Sequence, residues 1–134
     1  MVHGETVGVL DFQDARMGPQ PYDVVSLLVD RGTPQVLGDE VTQMLVEYYV
    51  GRLEAETRQP VDRSDFAELF DYVAVQRCLK ALGTFAYMAV VHQRQQYESY
   101  IRPTLAYVKP LVRRYEVLQP FATLLDRYVP FMTA

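Results

Sequence analysis

The sequence has few of the side chains that build disulfides, metal clusters and nucleophile sites. Its 134 residues include one cysteine, two histidines and no tryptophan. The single cysteine, Cys78, excludes a disulfide within the chain and a cysteine metal cluster. His3 and His92 lie far apart without metal-ligand spacing, and no Gly-x-Ser-x-Gly nucleophile turn occurs. We interpret His3 as a terminal residue and His92 as a surface or capping residue, so the chemistry must be sought elsewhere.

Long apolar runs and a strong positive charge are also missing. Residues 81–91 form the longest uncharged apolar-rich run, well short of the roughly 18–20 residues that span a bilayer. Residues 1–10 lack the basic start and apolar core of a secretory signal. The net charge of −4 argues against nucleic acid as the main partner. We therefore expect a cytoplasmic protein that binds neither membrane nor nucleic acid, which fits the single cysteine.

The residues that are present are those of an ordinary globular domain. Hydrophobic residues make up 49% and charged residues 22%, and ten Tyr with six Phe predict an aromatic core. We expect one domain over residues 1–134. Residues 1–70 carry a balance of −8 and residues 71–134 a balance of +4. Two interpretations stay open: complementary solvated surfaces, or a basic wall near an anionic ligand.

The hydrophobic periodicity predicts a mainly helical chain that begins with one strand. Residues 6–11 are rich in β-branched side chains and read as the strand. Predicted helices cover, in order, residues 21 to about 30, 39–53, 64–91, 94–101, two short segments of which the second includes 111–115, and 119–129. The first of these helices is apolar nearly all round and should be buried.

Proline and glycine positions set several of these boundaries. The segment Arg31-Gly32-Thr33-Pro34 is expected to end the first helix, and Pro103 and Pro110 to punctuate the two short segments. Pro21 suits a first helical position. Gly83 lies inside the apolar stripe of the longest helix, where we expect it to allow a close helix contact.

The most informative stretch is residues 7–30, VGVLDFQDARMGPQPYDVVSLLVD. An apolar strand delivers Asp11 at its end, followed by Phe12. A carboxylate on such a rigid mount is the hard oxygen ligand that Mg²⁺ needs when it bridges the β- and γ-phosphates of a nucleotide. Asp-Phe alone is common. Its combination with the Gly18-Pro19 loop and with a helix that opens at Pro-Tyr-Asp is much more specific.

This arrangement resembles the C-terminal lobe of the aminoglycoside phosphotransferase and choline kinase superfamily. Within it, the segments LDFQDA, GPQPYDVVSLL and QRCLKALGTFAY are most similar to the N-acetylmuramate/N-acetylglucosamine anomeric kinases. The resemblance implies a mainly α, helical C-terminal lobe of a protein-kinase-like fold with a short β-strand or hairpin at the N-terminus. It also implies Mg²⁺-dependent transfer of the ATP γ-phosphoryl group to a hydroxyl of a small molecule. An amino sugar is the preferred acceptor; an aminoglycoside, choline or another alcohol stays open.

The resemblance also assigns roles near the start of the chain. It matches Asp11 to the metal-binding aspartate and Asp23 to an acidic residue that braces the catalytic loop. Gln13 and Asp14 could reach a second metal ion or a sugar hydroxyl. The alternatives are a helix-dipole charge for Asp23 and a hydrated loop for Gln13 and Asp14.

A basic pair on the longest predicted helix is the other candidate. Arg77 and Lys80 lie three residues apart on one face and could bind a substrate carboxylate or phosphate. The alternative for them is salt bridges to Asp71 or Glu98 with solvated tips.

One part of the family pattern does not occur in this chain. Kinase-like enzymes carry a loop of the type His-x-Asp-x-x-x-x-Asn upstream of the metal-binding aspartate. Only ten residues precede Asp11, so the base would lie upstream of Met1 and no catalytic residue is expected here. The glycine-rich loop and the nucleotide-clamping lysine are absent as well. The chain alone should be inactive; the alternative is a truncated, non-catalytic helical interaction module that could form a homodimer through exposed apolar surface.

Overall fold

The computed structural model describes residues 2–8, 15–30 and 33–129. Its described elements, in order, are β1 (Val2–His3), β2 (Thr6–Val7), α1 (Tyr22–Leu28), α2 (Thr33–Thr57), α3 (Arg63–Val90), α4 (Glu98–Arg114) and α5 (Gln119–Tyr128). Single 3₁₀ turns at Gln95–Tyr97 and Glu116–Leu118 precede α4 and α5. The prediction of a mainly helical chain is confirmed.

The two strands form a minimal antiparallel hairpin. Val2 lies opposite Val7 and His3 opposite Thr6. Gly4 lies in the turn with a φ of 60°, a left-handed conformation that glycine adopts without a Cβ penalty. The described residues therefore show strand structure only at Thr6–Val7 of the longer strand predicted over residues 6–11. Asp11 lies outside the described residues, so its place at a strand end stays a prediction.

Helix α1 is short and buries one face. Val24, Val25 and Leu28 are buried, because α2 and α3 pack against that side. Leu27 on the opposite side is exposed. The prediction of a helix buried all round is therefore wrong at Leu27, and α1 is an amphipathic helix at the edge of the core.

Helix α2 begins earlier than predicted and contains a break. Thr33 and Pro34 open it rather than ending α1, since proline is tolerated in a first helical turn. Gly38 interrupts the helix with a φ of 70° and a ψ of 170°. The Thr42 hydroxyl donates to the Gly38 carbonyl at 2.7 Å, which supports the start of the continuous part. The predicted bounds of 39–53 thus describe most of the segment after the break.

Helix α3 is the longest element, and its predicted bounds are confirmed within one residue. Asp62 caps its start: the carboxylate accepts from the backbone N–H of Ser64 at 2.8 Å and of Asp65 at 3.1 Å. The expected close helix contact at Gly83 is wrong, because Gly83 is exposed and a Cβ built there would meet nothing within 4 Å.

Helix α4 is continuous across two prolines that the sequence analysis expects to divide it. Pro103 and Pro110 both lie on its exposed side. Each removes one backbone N–H bond, and water can solvate the carbonyls that lose it. The opposite face packs against α3 through Leu105, Val108, Leu111 and Val112. This packing holds together the segments that were predicted to be separate.

Helix α5 follows the prediction, with Pro120 in its first turn and its end before Pro130.

The buried core joins α1, α3 and α4 with single residues of α2 and α5: Val24, Val25, Leu28, Val50, Phe66, Phe70, Val73, Ala74, Val75, Cys78, Val108, Leu111, Val112 and Ala122. In the ranges that the structure describes, no helix has the length and apolar content required to cross a bilayer.

Candidate functional site

The predicted site residues fall into two groups. Asp11, Gln13 and Asp14 lie outside the described residues, whereas Asp23 and Arg77 lie within them. Among residues 2–8, 15–30 and 33–129, no group of three or more His, Cys, Asp or Glu side chains is placed to hold a metal ion. The predicted metal site at Asp11 therefore stays a prediction, and the described geometry concerns its surroundings.

The loop that leads into α1 is anchored to α2. The Tyr49 hydroxyl donates to the carbonyl of Gln20 at 2.8 Å, and its ring packs against Phe66 with centroids 6.0 Å apart. Burial, reinforced by the charge of Asp23, raises the pKa of Tyr49, so the phenol stays a neutral donor. This contact fixes the end of the segment that follows Asp11.

Asp23 lies in the first turn of α1, as predicted, and its side chain is exposed. Within the described part of the chain its carboxylate makes no hydrogen bond or ion pair. A first-turn carboxylate is stabilised by the positive end of the helix dipole. The same position leaves it accessible to another segment, so both interpretations of Asp23 stay open.

Arg77 lies on α3 beside α1 rather than in a salt bridge. Its guanidinium carbon is 4.9 Å from the centre of the Tyr22 ring, in the geometry of a cation–π contact. The expected alternative partner, Asp71, instead accepts from Arg114 at 2.6 Å and from Tyr115 at 2.7 Å. Among the described residues no ion pair involves Arg77 or Lys80. The salt-bridge interpretation of Arg77 is therefore wrong.

Two adjoining hollows form one cleft between the end of α1, the second half of α3 and the start of α4. They enclose about 510 Å³ and about 790 Å³ of space open to solvent and share four residues. Those shared residues are Asp30, Arg77, Ala81 and Phe85. The inner hollow is further lined by Cys78, Pro103, Thr104 and Tyr107, and the outer one by Lys80, Thr84 and Tyr97. We call this the α1–α3–α4 cleft.

Among its described lining residues, the cleft has two cations, one carboxylate and neutral polar groups. Arg77 and Lys80 supply the positive charge, and Asp30 supplies the negative charge. Burial raises the pKa of the Cys78 thiol to about 11, an effect that Arg77 opposes and Asp30 reinforces. Burial likewise raises the pKa of Tyr107. At neutral pH both groups keep their protons and add no negative charge. Because the two cations outnumber the carboxylate, the cleft suits an anionic small molecule with hydroxyl groups.

A third hollow near the α2–α3 connection has a different character. It encloses about 620 Å³ and includes Asp62 and Asp65 but no basic side chain. The Asp62 carboxylate is already occupied by capping α3. Of the hollows described here, the α1–α3–α4 cleft alone combines convergent charges of both signs with aromatic walls, and it is the candidate site.

Sequence reasoning identified the basic pair but missed the rest of the cleft. Asp30 comes just after α1. A carboxylate at the end of an apolar helix could have been recognised from the sequence as a candidate site residue. Tyr97 and Tyr107 gave no signal, because the α4 packing that brings them to α3 was predicted to be broken by prolines.

Comparisons with known proteins point to one group of enzymes. The chain is 36% identical over 122 residues to an N-acetylmuramate/N-acetylglucosamine kinase of Neisseria meningitidis serogroup B, covering 91% of this chain and 36% of that protein. Two proteins of the same name, from Pseudomonas aeruginosa and Pseudomonas putida, are 32% and 31% identical over 120 and 109 residues. These matches cover 88% and 80% of this chain and 35% and 31% of the relatives.

The remaining comparisons set the limits of this similarity. No protein-family model and no solved structure matches the chain. The chain spans about a third of the length of the curated relatives it matches. Over most of its own length, it is homologous to one portion of the N-acetylmuramate/N-acetylglucosamine kinases.

Proposed function

We propose that the chain is the C-terminal part of an ATP-dependent small-molecule kinase that phosphorylates an amino sugar, N-acetylmuramate or N-acetylglucosamine. The observation that carries the proposal is the 36% identity to a kinase of that name along 91% of the chain. The three relatives are about three times longer than the matched segment. This supports an enzyme in which another part of the protein supplies groups that this part does not carry.

In this proposal Asp11 holds the Mg²⁺ that accompanies ATP. The donor set fits the ion, because Asp11, Asp14 and Gln13 offer carboxylate and amide oxygens, the ligands that Mg²⁺ prefers. When bound, Mg²⁺ neutralises charge on the β- and γ-phosphates. Asp23 braces the catalytic loop from a helix start that the Tyr49–Gln20 hydrogen bond holds in place. The catalytic base comes from a His-x-Asp-x-x-x-x-Asn loop outside this chain.

The α1–α3–α4 cleft provides the acceptor floor. Its charges favour a neutral or anionic sugar over the other acceptors that the sequence left open. Aminoglycosides and choline are cations, and Arg77 with Lys80 would repel them more than the single Asp30 attracts them. The amino sugars named for the relatives lack this conflict.

The test replaces the matched segment of the Neisseria meningitidis kinase with this chain and measures phosphoryl transfer from Mg·ATP to N-acetylglucosamine. We expect turnover in the chimera and a loss of about 100-fold or more in Asp11→Asn, because removing a metal ligand removes charge neutralisation in the transition state. The chain on its own should give no turnover above a metal-free control.

Three outcomes would contradict the proposal. A folded chimera that binds Mg·ATP but phosphorylates neither amino sugar would remove the function. Full activity of Asp11→Asn would remove the metal role of Asp11. Turnover by the isolated chain would show that the base lies within it.

A second candidate is the non-catalytic helical module that pairs with a second copy of itself. An apolar stripe on α2 favours it: Val41, Met44 and Tyr48 are 37%, 60% and 68% exposed at helical spacing. Light scattering of the isolated chain should then show a concentration-dependent dimer that Met44→Glu abolishes. A clean monomer over a wide concentration range would eliminate this candidate.

A further inference from the structure

One face of α3 lines the α1–α3–α4 cleft with both polar and apolar side chains. Arg77, Lys80, Ala81, Thr84 and Phe85 follow the helical repeat and all line the same space. We propose that Arg77 and Lys80 form a subsite for a carboxylate on the acceptor sugar. This rests on the proposed function and deepens it: the cleft prefers an acidic N-acetyl sugar, such as N-acetylmuramate with its lactyl carboxylate, over a neutral one.

Arg77 is preorganised for this role. Its guanidinium is held 4.9 Å from the centre of the Tyr22 ring, and no ion pair with a described residue uses its charge. A cation–π contact does not use up the N–H donors of the guanidinium fork, and a carboxylate can accept two parallel hydrogen bonds from them. The side chain is half-buried, so such a pair would be less screened by water than a surface pair.

Lys80 is the weaker member of the pair. It lies one turn further along the same face, at the exposed rim of the outer hollow. Its ammonium is a strongly hydrated point charge on a flexible stem, and exposed lysine pairs contribute little. We therefore assign Lys80 a supporting attraction and Arg77 the directional contact.

The remaining walls fit a sugar ring. Phe85 is buried, and the partly exposed ring of Tyr97, whose centroid lies 6.1 Å from that of Phe85, offers aromatic surface to the apolar face of a pyranose. Asp30 also lines this space at the end of α1, and a carboxylate is a group that can accept hydrogen bonds from sugar hydroxyl groups.

The experiment compares two acceptors that differ by the carboxylate. In the chimeric kinase, kcat and KM are measured for N-acetylmuramate, N-acetylglucosamine and ATP, in the parent and in Arg77→Met. Methionine keeps an unbranched apolar stem but removes the charge and the donors. We expect kcat/KM for N-acetylmuramate to fall about 10–100-fold through KM, while the values for N-acetylglucosamine and ATP stay within about twofold.

Three further variants sharpen the result. Arg77→Lys should restore part of the loss, since it restores the charge without the planar fork. Lys80→Met should cost less than Arg77→Met. Arg52→Met is the matched control, because Arg52 pairs with Glu56 on an exposed face of α2 and should leave both sugars unaffected.

Each remaining outcome has a distinct meaning. Equal losses for both sugars would overturn the subsite and make Arg77 a scaffold residue. A change confined to the KM of ATP would overturn it in favour of a phosphate contact. If neither sugar is phosphorylated, the proposed function fails; titration calorimetry of both sugars then decides the subsite separately, and equal binding of the two by the parent protein would overturn it.

Discussion

The two halves of α3 do different work. Residues 63–76 contribute Phe66, Phe70, Val73, Ala74 and Val75 to the buried core. Residues 77–90 bury only Cys78, Phe85 and Ala89, and they leave Gly83, Tyr87 and Val90 exposed. A single helix thus passes from core to cleft wall within its length.

The difference shows how the fold separates stability from recognition. The first half packs against α1 and α4, and its Phe66 ring contacts Tyr49 of α2, so its side chains are enclosed. The second half contacts the Gln95–Tyr97 turn and the start of α4, and it lines the α1–α3–α4 cleft. Substitutions in the first half should therefore change the free energy of unfolding, and those on the cleft face of the second half should change ligand recognition.

The largest expected effect is at the centre of the first half. Phe70→Ala should lower the free energy of unfolding by about 3–5 kcal/mol, because it removes a buried ring and leaves a cavity. Urea denaturation followed by circular dichroism measures it. The neighbouring Leu69→Ala is the control and should cost much less, since Leu69 is partly exposed. Equal losses would mean that the first half is not the enclosed half.

The buried carboxylate of the same half gives the next effect. Asp71 is 13% exposed in its side chain and accepts from Arg114 and Tyr115. Asp71→Leu should destabilise the protein by about 2 kcal/mol, the range for hydrogen bonds to a charged group. Arg114, with 60% of its side chain exposed, can be solvated instead.

A double-mutant cycle locates this loss. Tyr115→Phe combined with Asp71→Leu should show a coupling of about 1 kcal/mol, and Arg114→Met with Asp71→Leu a smaller one. The opposite ranking would show that the exposed guanidinium, not the phenol, is the main partner of Asp71.

In the second half, an added methyl group should stabilise. A Cβ at Gly83 would meet nothing within 4 Å, and glycine in a helix interior costs about 0.8–1 kcal/mol relative to alanine. Gly83→Ala should therefore raise the free energy of unfolding by about that amount. Gly51→Ala in α2 has the same open surroundings and should give a similar gain. A loss at Gly83 alone would indicate that another segment packs there.

The helical part of this fold could be predicted where local signals suffice. The start of α3 follows from Asp62 and Asp65 before a long apolar stripe, and α5 from Pro120 in a first turn. Helix α4 could not be predicted this way. The packing of Leu105 and Val108 on α3 outweighs two local breakers, and that energy is not visible in the sequence of α4 alone.

The site was predictable only in part for a similar reason. Arg77 and Lys80 share a face because they lie three residues apart on one helix, and this spacing can be read from the sequence once the helix is predicted. Their neighbours come from other parts of the chain, including Asp30 after α1 and Tyr97 before α4. No periodicity relates such residues, and their meeting depends on how α1 and α4 pack against α3.

The smallest effect is expected at an ion pair that contrasts with Asp71. Glu54 accepts from Arg63 at 2.7 and 2.9 Å and from the Val61 backbone N–H at 2.9 Å, at the exposed connection between α2 and α3. The hydrogen bonds from Arg63, followed by the one from Val61, lower the pKa of Glu54 from 4.5 to about 2. A lowered pKa stabilises the folded state above pH 4.5, and this contribution disappears as the pH falls through 2.

The stability difference between the parent and Glu54→Gln should therefore be small at pH 6, diminish between pH 4.5 and 2, and shrink in high salt. Thermal unfolding across that pH range measures it. A difference that persists unchanged at pH 2 would show that the glutamine loses packing rather than charge, and that this surface connection resembles the buried Asp71 pair more than its exposure suggests.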